Sequence, residues 1–482
     1  MQQRSDRLRA TGLLCIAGLL SSACGATVYS APRDKAFARA VEGSVGEEWE
    51  AAAGYAQHYL STSSPEDPRY DRALMLLAQA SESLGLSYAA GRYYLDVASM
   101  RRDVDQLDKA FAGLERIVMA DGAHDADTIV RGFLATDDVS GISRDRQAFI
   151  DYLQGRQSIS QGLDEWADKR FARIPKHHAF AVRGRYVQAV RMLARGDYEQ
   201  GKAAMEELAE GNERAPEVRL DAELALARLA MDEQRYDDAA EHYEALRPRA
   251  KDQPELLLEM AWAQYYRGDS RRSLGLLIAL DAPVYGGLIA PERYLLEARL
   301  LRRLCQFQPA RTAAVRLQAR HGDALADLHA GVRPAESQVI RAGARARGGA
   351  RPSWRLHRRM LQERAAIDDM DSDLGDALSK ALRHIYDVGI EEAKRREESV
   401  LAAETERLAR ELMAAEDGVQ LILHELSVGL LRGRRRPTGP DEIESVTFEA
   451  GGDNISYRFV GEFWTDELDD LVVVIPDRCL DR

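Results

Sequence analysis

"RGDYEQGKAAM", residues 195–205, is the stretch on which the reading of this chain turns. Gly196, Gly201 and Lys202 fit the opening of the G-x-x-x-x-G-K-[ST] phosphate loop. That loop needs a buried strand ahead of it, so that the following helix presents its N-terminus to phosphate. The residues ahead, "RYVQAVRMLA" (185–194), read as amphipathic helix, and Ala203 stands where the magnesium-binding hydroxyl belongs. The nucleotide reading is therefore set aside. Gly196 becomes a turn between two helices, and Gly201 a small residue where the second helix meets the first.

The turn recurs. Gln234 lies in "EQRYDDAAEHY" (233–243), Gly268 in "YRGDSRRSLGLL" (266–277) and Cys305 in "LCQFQPARTAAV" (304–315), each between two helical patterns. The pattern resembles the tetratricopeptide repeat (TPR), a helix–turn–helix unit of about 34 residues. The matching residues are Leu226, Ala227, Ala239 and Tyr243, then Met260, Ala261 and Leu277, then Ala298, Phe307 and Ala310. Small residues let paired helices approach, and Tyr243 or Leu277 fills the space beside them. Pro254 and Pro291 suit the start of a helix, where a missing N–H is tolerated. Weaker copies include Ala78, Gly85, Ala90 and Tyr94, and Ala167 with Phe171. Five to seven units are expected between about 45 and 320, a TPR-like α-solenoid in a mostly α chain.

The N-terminus reads as an export signal. Arg4, Arg7 and Arg9 precede a short apolar run, Leu13 to Leu20, and "SSAC" ends at Cys24. The run is too short to span a bilayer. A Cys at this place resembles the signal of bacterial lipoproteins, which implies lipidation of Cys24 and, with Gly25 following, the outer membrane; secretion into the periplasm is the alternative. Residues 1–23 are then signal peptide and 24–44 an N-terminal tether. Formal net charge is −13 over 482 residues, which argues against a protein that coats nucleic acid. In an oxidising compartment Cys305 and Cys479 either pair or stay as buried thiols.

Beyond the repeats, 321–359 is rich in Arg, Gly and Ala and reads as a basic linker. Residues 360–433 return to helical pattern, with Leu408, Leu412, Val419, Ile422, Leu426 and Leu430 close to a heptad seam. A long helix or helical hairpin is expected there. Residues 440–482 change to alternation around Gly-Gly-Asp-Asn and read as a small antiparallel β module, with Leu471 to Ile475 as a third strand.

Catalytic patterns are scarce: no H-E-x-x-H, no G-x-S-x-G and no paired-Cys zinc spacing. His177–His178, "HDAD" (124–127), "DDMDSD" (368–373) and "WTDEL" (464–468) read as helix ends and polar turns, so no cofactor, nucleotide or metal is expected. What the repeat resemblance does locate is a groove, because in that family the first helix of each unit lines the concave face. The register places Arg228, Glu259, Trp262, Tyr265, Tyr266, Arg299, Arg302 and Arg303 there. Aromatic residues and Arg are enriched at binding hot spots, so a segment with acidic and apolar residues is the implied ligand; Trp262 or Tyr265 could instead belong to inter-repeat packing. The whole arrangement resembles the TPR lipoproteins of bacterial envelope machines, with those of adventurous gliding motility first and those of outer-membrane biogenesis second. That resemblance implies a non-enzymatic assembly scaffold binding envelope proteins; a periplasmic enzyme or enzyme regulator is the competing class.

Overall fold

The computed structural model describes residues 32–120, 139, 141–211, 215–250, 253–285, 289–431, 447–448, 457–458 and 472–479. The signal peptide and Cys24 lie outside the described residues. Helical hairpins follow one another from the first described residue: Pro32–Val45 with Trp49–Thr62, Tyr70–Ser83 with Ser87–Met100, Arg144–Ser160 with Asp164–Arg173, and Ala179–Arg195 with Tyr198–Ala209. Then come Pro216–Asp232 with Tyr236–Ala245, Glu255–Arg267 with Ser270–Ala279, and Glu292–Arg303 with Phe307–His329. Among the described residues, the helix Val104–Ala120 lies between the second and third of these hairpins.

One local device makes every hairpin. The first helix ends on a residue with positive φ: Glu47, Gly85, Gly162, Gly196, Gln234, Gly268 and Cys305. The next amide then donates to the carbonyl five residues back, as in Leu86 to Ser81, Leu163 to Ser158, Asp197 to Met192, Arg235 to Ala230, Asp269 to Gln264 and Gln306 to Leu301. This is the Schellman closure, which satisfies helix-end carbonyls and reverses the chain. Gly196, Gln234, Gly268 and Cys305 are the turns expected from the sequence.

Small residues bring the helices together. Ala227, Ala239, Ala261, Ala298 and Ala310 are all fully buried, and Tyr243 and Leu277 fill the space beside them. Gly201 serves the same end, because a Cβ there would lie 2.7 Å from Leu193 Cδ2. Upstream, the ring of Phe171 packs between Gly155 and Gly184.

Two boundaries need correction. Within the expected tether, Pro32–Val45 is a packed helix that buries Ala36, Ala40 and Gly43. The expected basic linker is also largely helical, in Gln338–Ala346 and Arg351–Asp369. Three of its arginines, Arg345, Arg347 and Arg351, face acids that lie far along the chain, which no local pattern reveals. Arg347, nearly buried, sits 2.9 Å from Glu404 and donates to both oxygens of Glu411. Ile340 and Ala344 are buried beside it, and Gly343 leaves room for Ile289.

The expected long helix is one element of 56 residues, Asp376–Leu431. Leu378, Leu382 and Tyr386 enter the core of the first hairpins, with Tyr59, Leu77 and Tyr94. Leu401, Leu408 and Leu412 pack with Ile340 and Ala344. Ala415, Val419 and Ile422 join the core of the last hairpins, with Met260, Leu295 and Leu317. The helix thus runs from the first hairpins to the last. Of the expected β module, the described residues hold only two-residue strands: Thr447–Phe448 pairs antiparallel with Tyr457–Arg458 and with Val473–Val474. The rest of that expectation falls outside the described residues.

Candidate functional site

The groove residues lie on the first helices of three successive hairpins. Arg228 comes from Pro216–Asp232, Glu259, Trp262, Tyr265 and Tyr266 from Glu255–Arg267, and Arg299, Arg302 and Arg303 from Glu292–Arg303. The spacing of Trp262, Tyr265 and Tyr266 at i, i+3 and i+4 puts the rings on one face of a helix.

They form a contiguous aromatic surface. Trp262 stacks on Tyr266 at 5.7 Å and meets Tyr265 edge-on at the same distance; Tyr265 meets Tyr266 at 5.2 Å. Tyr236, from the preceding hairpin, stacks on Tyr266 at 4.8 Å, extending the row across units. Tyr236 was not among the residues singled out in the sequence, because its position opens a second helix. Tyr266 is 46% exposed, whereas Trp262 and Tyr265 are half-buried against the core of the last hairpins. Trp262 and Tyr265 therefore belong in part to inter-repeat packing, and each leaves a portion of its ring at the surface.

Two arginines lie over the rings. The Arg299 guanidinium is 5.7 Å from the Trp262 centroid, and Arg303 is 5.7 Å from that of Tyr265. Arg303 also donates to the Tyr265 carbonyl at 3.1 Å. Cation–π contacts of this kind are worth about 0.5–1 kcal/mol at exposed sites. Trp262 Nε1 donates to Glu292 at 3.2 Å, which fixes the indole.

The remaining groove residues are occupied within the chain. Arg228 is bound in bidentate fashion by Glu259, at 2.9 and 2.7 Å, and Glu259 also accepts from Tyr243. Burial, with the Glu259 carboxylate beside it, pushes the Tyr243 hydroxyl well above its ordinary range. Arg302 is paired with Glu425 of the long helix. There Gly418 passes so close to Leu295 that a Cβ would lie 2.8 Å from its Cδ1. The implied ligand chemistry, acidic and apolar, is thus supplied at Arg302 by residues 418–425 of this chain. Open groove chemistry contracts to Tyr236, Trp262, Tyr265, Tyr266, Arg299 and Arg303.

Cys305 and Cys479 are joined in a disulfide. It fastens the tail beside this surface, where Gln306 donates to the Pro476 carbonyl at 2.8 Å and the Arg478 amide to Leu304 at 3.1 Å. Lys202, the former phosphate-loop lysine, lies 4.0 Å from Glu206 and 3.9 Å from Glu233 on a helix surface. Among the described residues no group of His, Cys, Asp and Glu could hold a metal ion, and no helix is long and apolar enough to cross a membrane.

The fold and this surface define a helical-repeat protein whose repeats present side chains on the first helix of each unit. No family model and no curated protein matches the sequence. Among solved structures, the chain is similar to a tetratricopeptide repeat protein from Parabacteroides merdae ATCC 43184. Identity is 13%, with 60% of this chain and 93% of that one covered, at a TM-score of 0.26. The fold described above therefore rests on its own hairpin geometry.

Proposed function

We propose that this chain is a non-enzymatic scaffold that docks a protein segment on the aromatic surface of its last hairpins. The observation that supports this reading is the row Tyr236–Tyr266–Trp262–Tyr265 under Arg299 and Arg303, a solvent-facing group of the residue types that dominate interfaces. The fitting partner is an envelope protein or peptide with apolar residues for the rings and carboxylates for the arginines. In this proposal Cys24 carries lipid and holds the protein at the outer membrane facing the periplasm, with a soluble periplasmic form as the alternative. The envelope machine is first the gliding-motility apparatus and second outer-membrane biogenesis, on the resemblance of the signal and repeats.

Co-purification from solubilised envelopes tests the surface. Loss of a buried aromatic anchor commonly costs a binder about 2 kcal/mol, or roughly thirtyfold in affinity. Trp262→Ala, and separately Arg299→Glu with Arg303→Glu, should lose the partners recovered by the unaltered protein. Arg302 is left alone because its pairing with Glu425 is internal. Variants that keep their helical circular dichroism and still recover the same partners would move the site elsewhere. Cys24→Ala should shift the protein to the soluble fraction; continued membrane association, with no acyl group on the unaltered chain, would remove the anchor from the proposal.

A further inference from the structure

Far along the chain from the aromatic surface, Pro32–Val45, Tyr70–Ser83 and Val104–Ala120 frame a groove of ≈550 Å³. That is within the roughly 300–1,000 Å³ usual for ligand pockets. Its floor is apolar, formed by Phe37, Val41, Met75 and Leu76. Met75 is buried, Phe37 and Leu76 are half-buried, and Val41 is 39% exposed. Two primary amides, those of Gln79 and Gln106, line the same space. Gln106 is only 7% exposed, yet among the described residues neither side-chain amide has a hydrogen-bond partner. Such an amide carries two N–H donors and a carbonyl acceptor, and burying it unpaired is costly enough that a partner is normally supplied.

The charges around the groove cancel. Arg72, Lys109 and Glu42 line it, and Lys109 is paired at 2.6 Å with Asp105 on its own helix. Arg69, which lies over the Phe37 ring, is paired with Asp34 at 2.6 Å. An occupant without net charge suits this balance. On Tyr70–Ser83, Arg72, Leu76 and Gln79 share one face and span about 10 Å at 1.5 Å per residue. That is the length of about three residues of extended chain.

We propose that this groove is a second docking site, for an extended, uncharged peptide segment of a partner protein. One bulky apolar side chain of that segment lies on the floor of Phe37, Val41 and Leu76. The peptide groups beside it pair with the amides of Gln106 and Gln79, because a peptide group is itself one donor and one acceptor. A sugar also offers hydroxyls to amides, but it has no side chain to fill an apolar floor. The segment differs in charge from the acidic one proposed for the aromatic surface. The scaffold thus holds two segments of unlike chemistry, one at its first hairpins and one at its last.

The full-length protein is titrated with capped pentapeptides in which glycine and serine flank a central Leu, Ile, Met or Phe. Binding is read by saturation-transfer NMR. At least one peptide should bind through its central side chain, and a central Asp or Lys should abolish the signal. N-methylation of the central amide should weaken binding about tenfold, as for one lost hydrogen bond to a buried group. Gln106→Leu should weaken the parent peptide about equally, and N-methylation should then cost nothing more. Gln79→Leu, at a half-buried position, repeats that comparison if circular dichroism shows Gln106→Leu to be unfolded. Val41→Glu, at the exposed edge of the floor, should abolish binding in a folded protein. A groove holding only water would show no transfer to any of the four peptides, which overturns the site. Equal binding of parent and N-methylated peptides, or full-strength binding to folded Val41→Glu, would overturn it too. Dimerisation lost in Val41→Glu would give the groove to a second copy of the chain instead.

Discussion

Glu363 accepts the backbone N–H of Tyr88 at 3.0 Å across 275 positions of sequence. Tyr88 stands in the first turn of Ser87–Met100, so a carboxylate from a late helix caps an early one. The Tyr386 hydroxyl donates to the same oxygen, and burial raises the Glu363 carboxyl above its ordinary value.

That shift gives docking a pH dependence. An acid whose folded pKa is raised contributes stability that is full below its unfolded value, about 4.3, and is lost as pH rises through the folded value. Urea midpoints should therefore fall from acid toward neutral pH through this group, and Glu363→Gln should flatten that part of the profile. Glu363→Ala should cost about 1–3 kcal/mol at acid pH, because two buried donors lose their acceptor. An unchanged slope in Glu363→Gln would show that other groups set the dependence.

At the turn Gly196–Gly201, the two residues of the apparent phosphate loop should separate. Lys202→Ala should change stability by no more than about 0.5 kcal/mol, since its nearest carboxylates lie only at 3.9 and 4.0 Å. Gly201→Val should cost about 1–3 kcal/mol by overpacking, since Leu193 occupies the space of the added carbon. Equal thermal shifts in the two variants, or nucleotide binding lost with Lys202, would contradict the repeat reading.

Reduction of Cys305–Cys479 should free the tail without melting the hairpins. A native disulfide typically contributes about 2–4 kcal/mol, mainly by restricting the unfolded chain. Hydrogen exchange at 472–479 should rise in reductant, with residues 255–303 little changed. Uniform exchange across both segments would indicate that the tail belongs to one cooperative unit with the last hairpins.

Arg347 should be the least replaceable arginine of the former linker. Removing one member of a buried ion pair typically costs about 3–5 kcal/mol, since the other charge stays buried. Arg347→Met should therefore loosen the long helix around Glu404 and Glu411, read as faster exchange at 400–412. Arg333→Met, changing an exposed residue, is the control and should do little.

Much of the repeat architecture was legible because its determinants are local. A left-handed residue after an amphipathic run, with Ala227, Ala239 or Ala261 at the crossing, needs only one hairpin to make sense. The seam Leu408, Leu412, Val419 and Ile422 was legible for the same reason, and all four are buried. Pairings between distant segments were not. Arg302 reads as a groove residue until Glu425 is brought to it, and Arg347 reads as a solvated linker residue until Glu404 and Glu411 arrive. In both cases an arginine was assigned to solvent because its acid lay in a helix whose docking no periodicity encodes.

The long helix changes the mechanics of the molecule. Stacked repeats touch only their neighbours, so an open array stretches under tension like a coil spring. Here one helix of 56 residues, about 84 Å at 1.5 Å per residue, is fastened to the first hairpins by Leu378 and Tyr386 and to the last by Val419 and Ile422. The long helix ties the first hairpins to the last. Pulling the first and last hairpins apart loads this helix before the hairpins between them can separate, so it acts as a stiff spacer of fixed length.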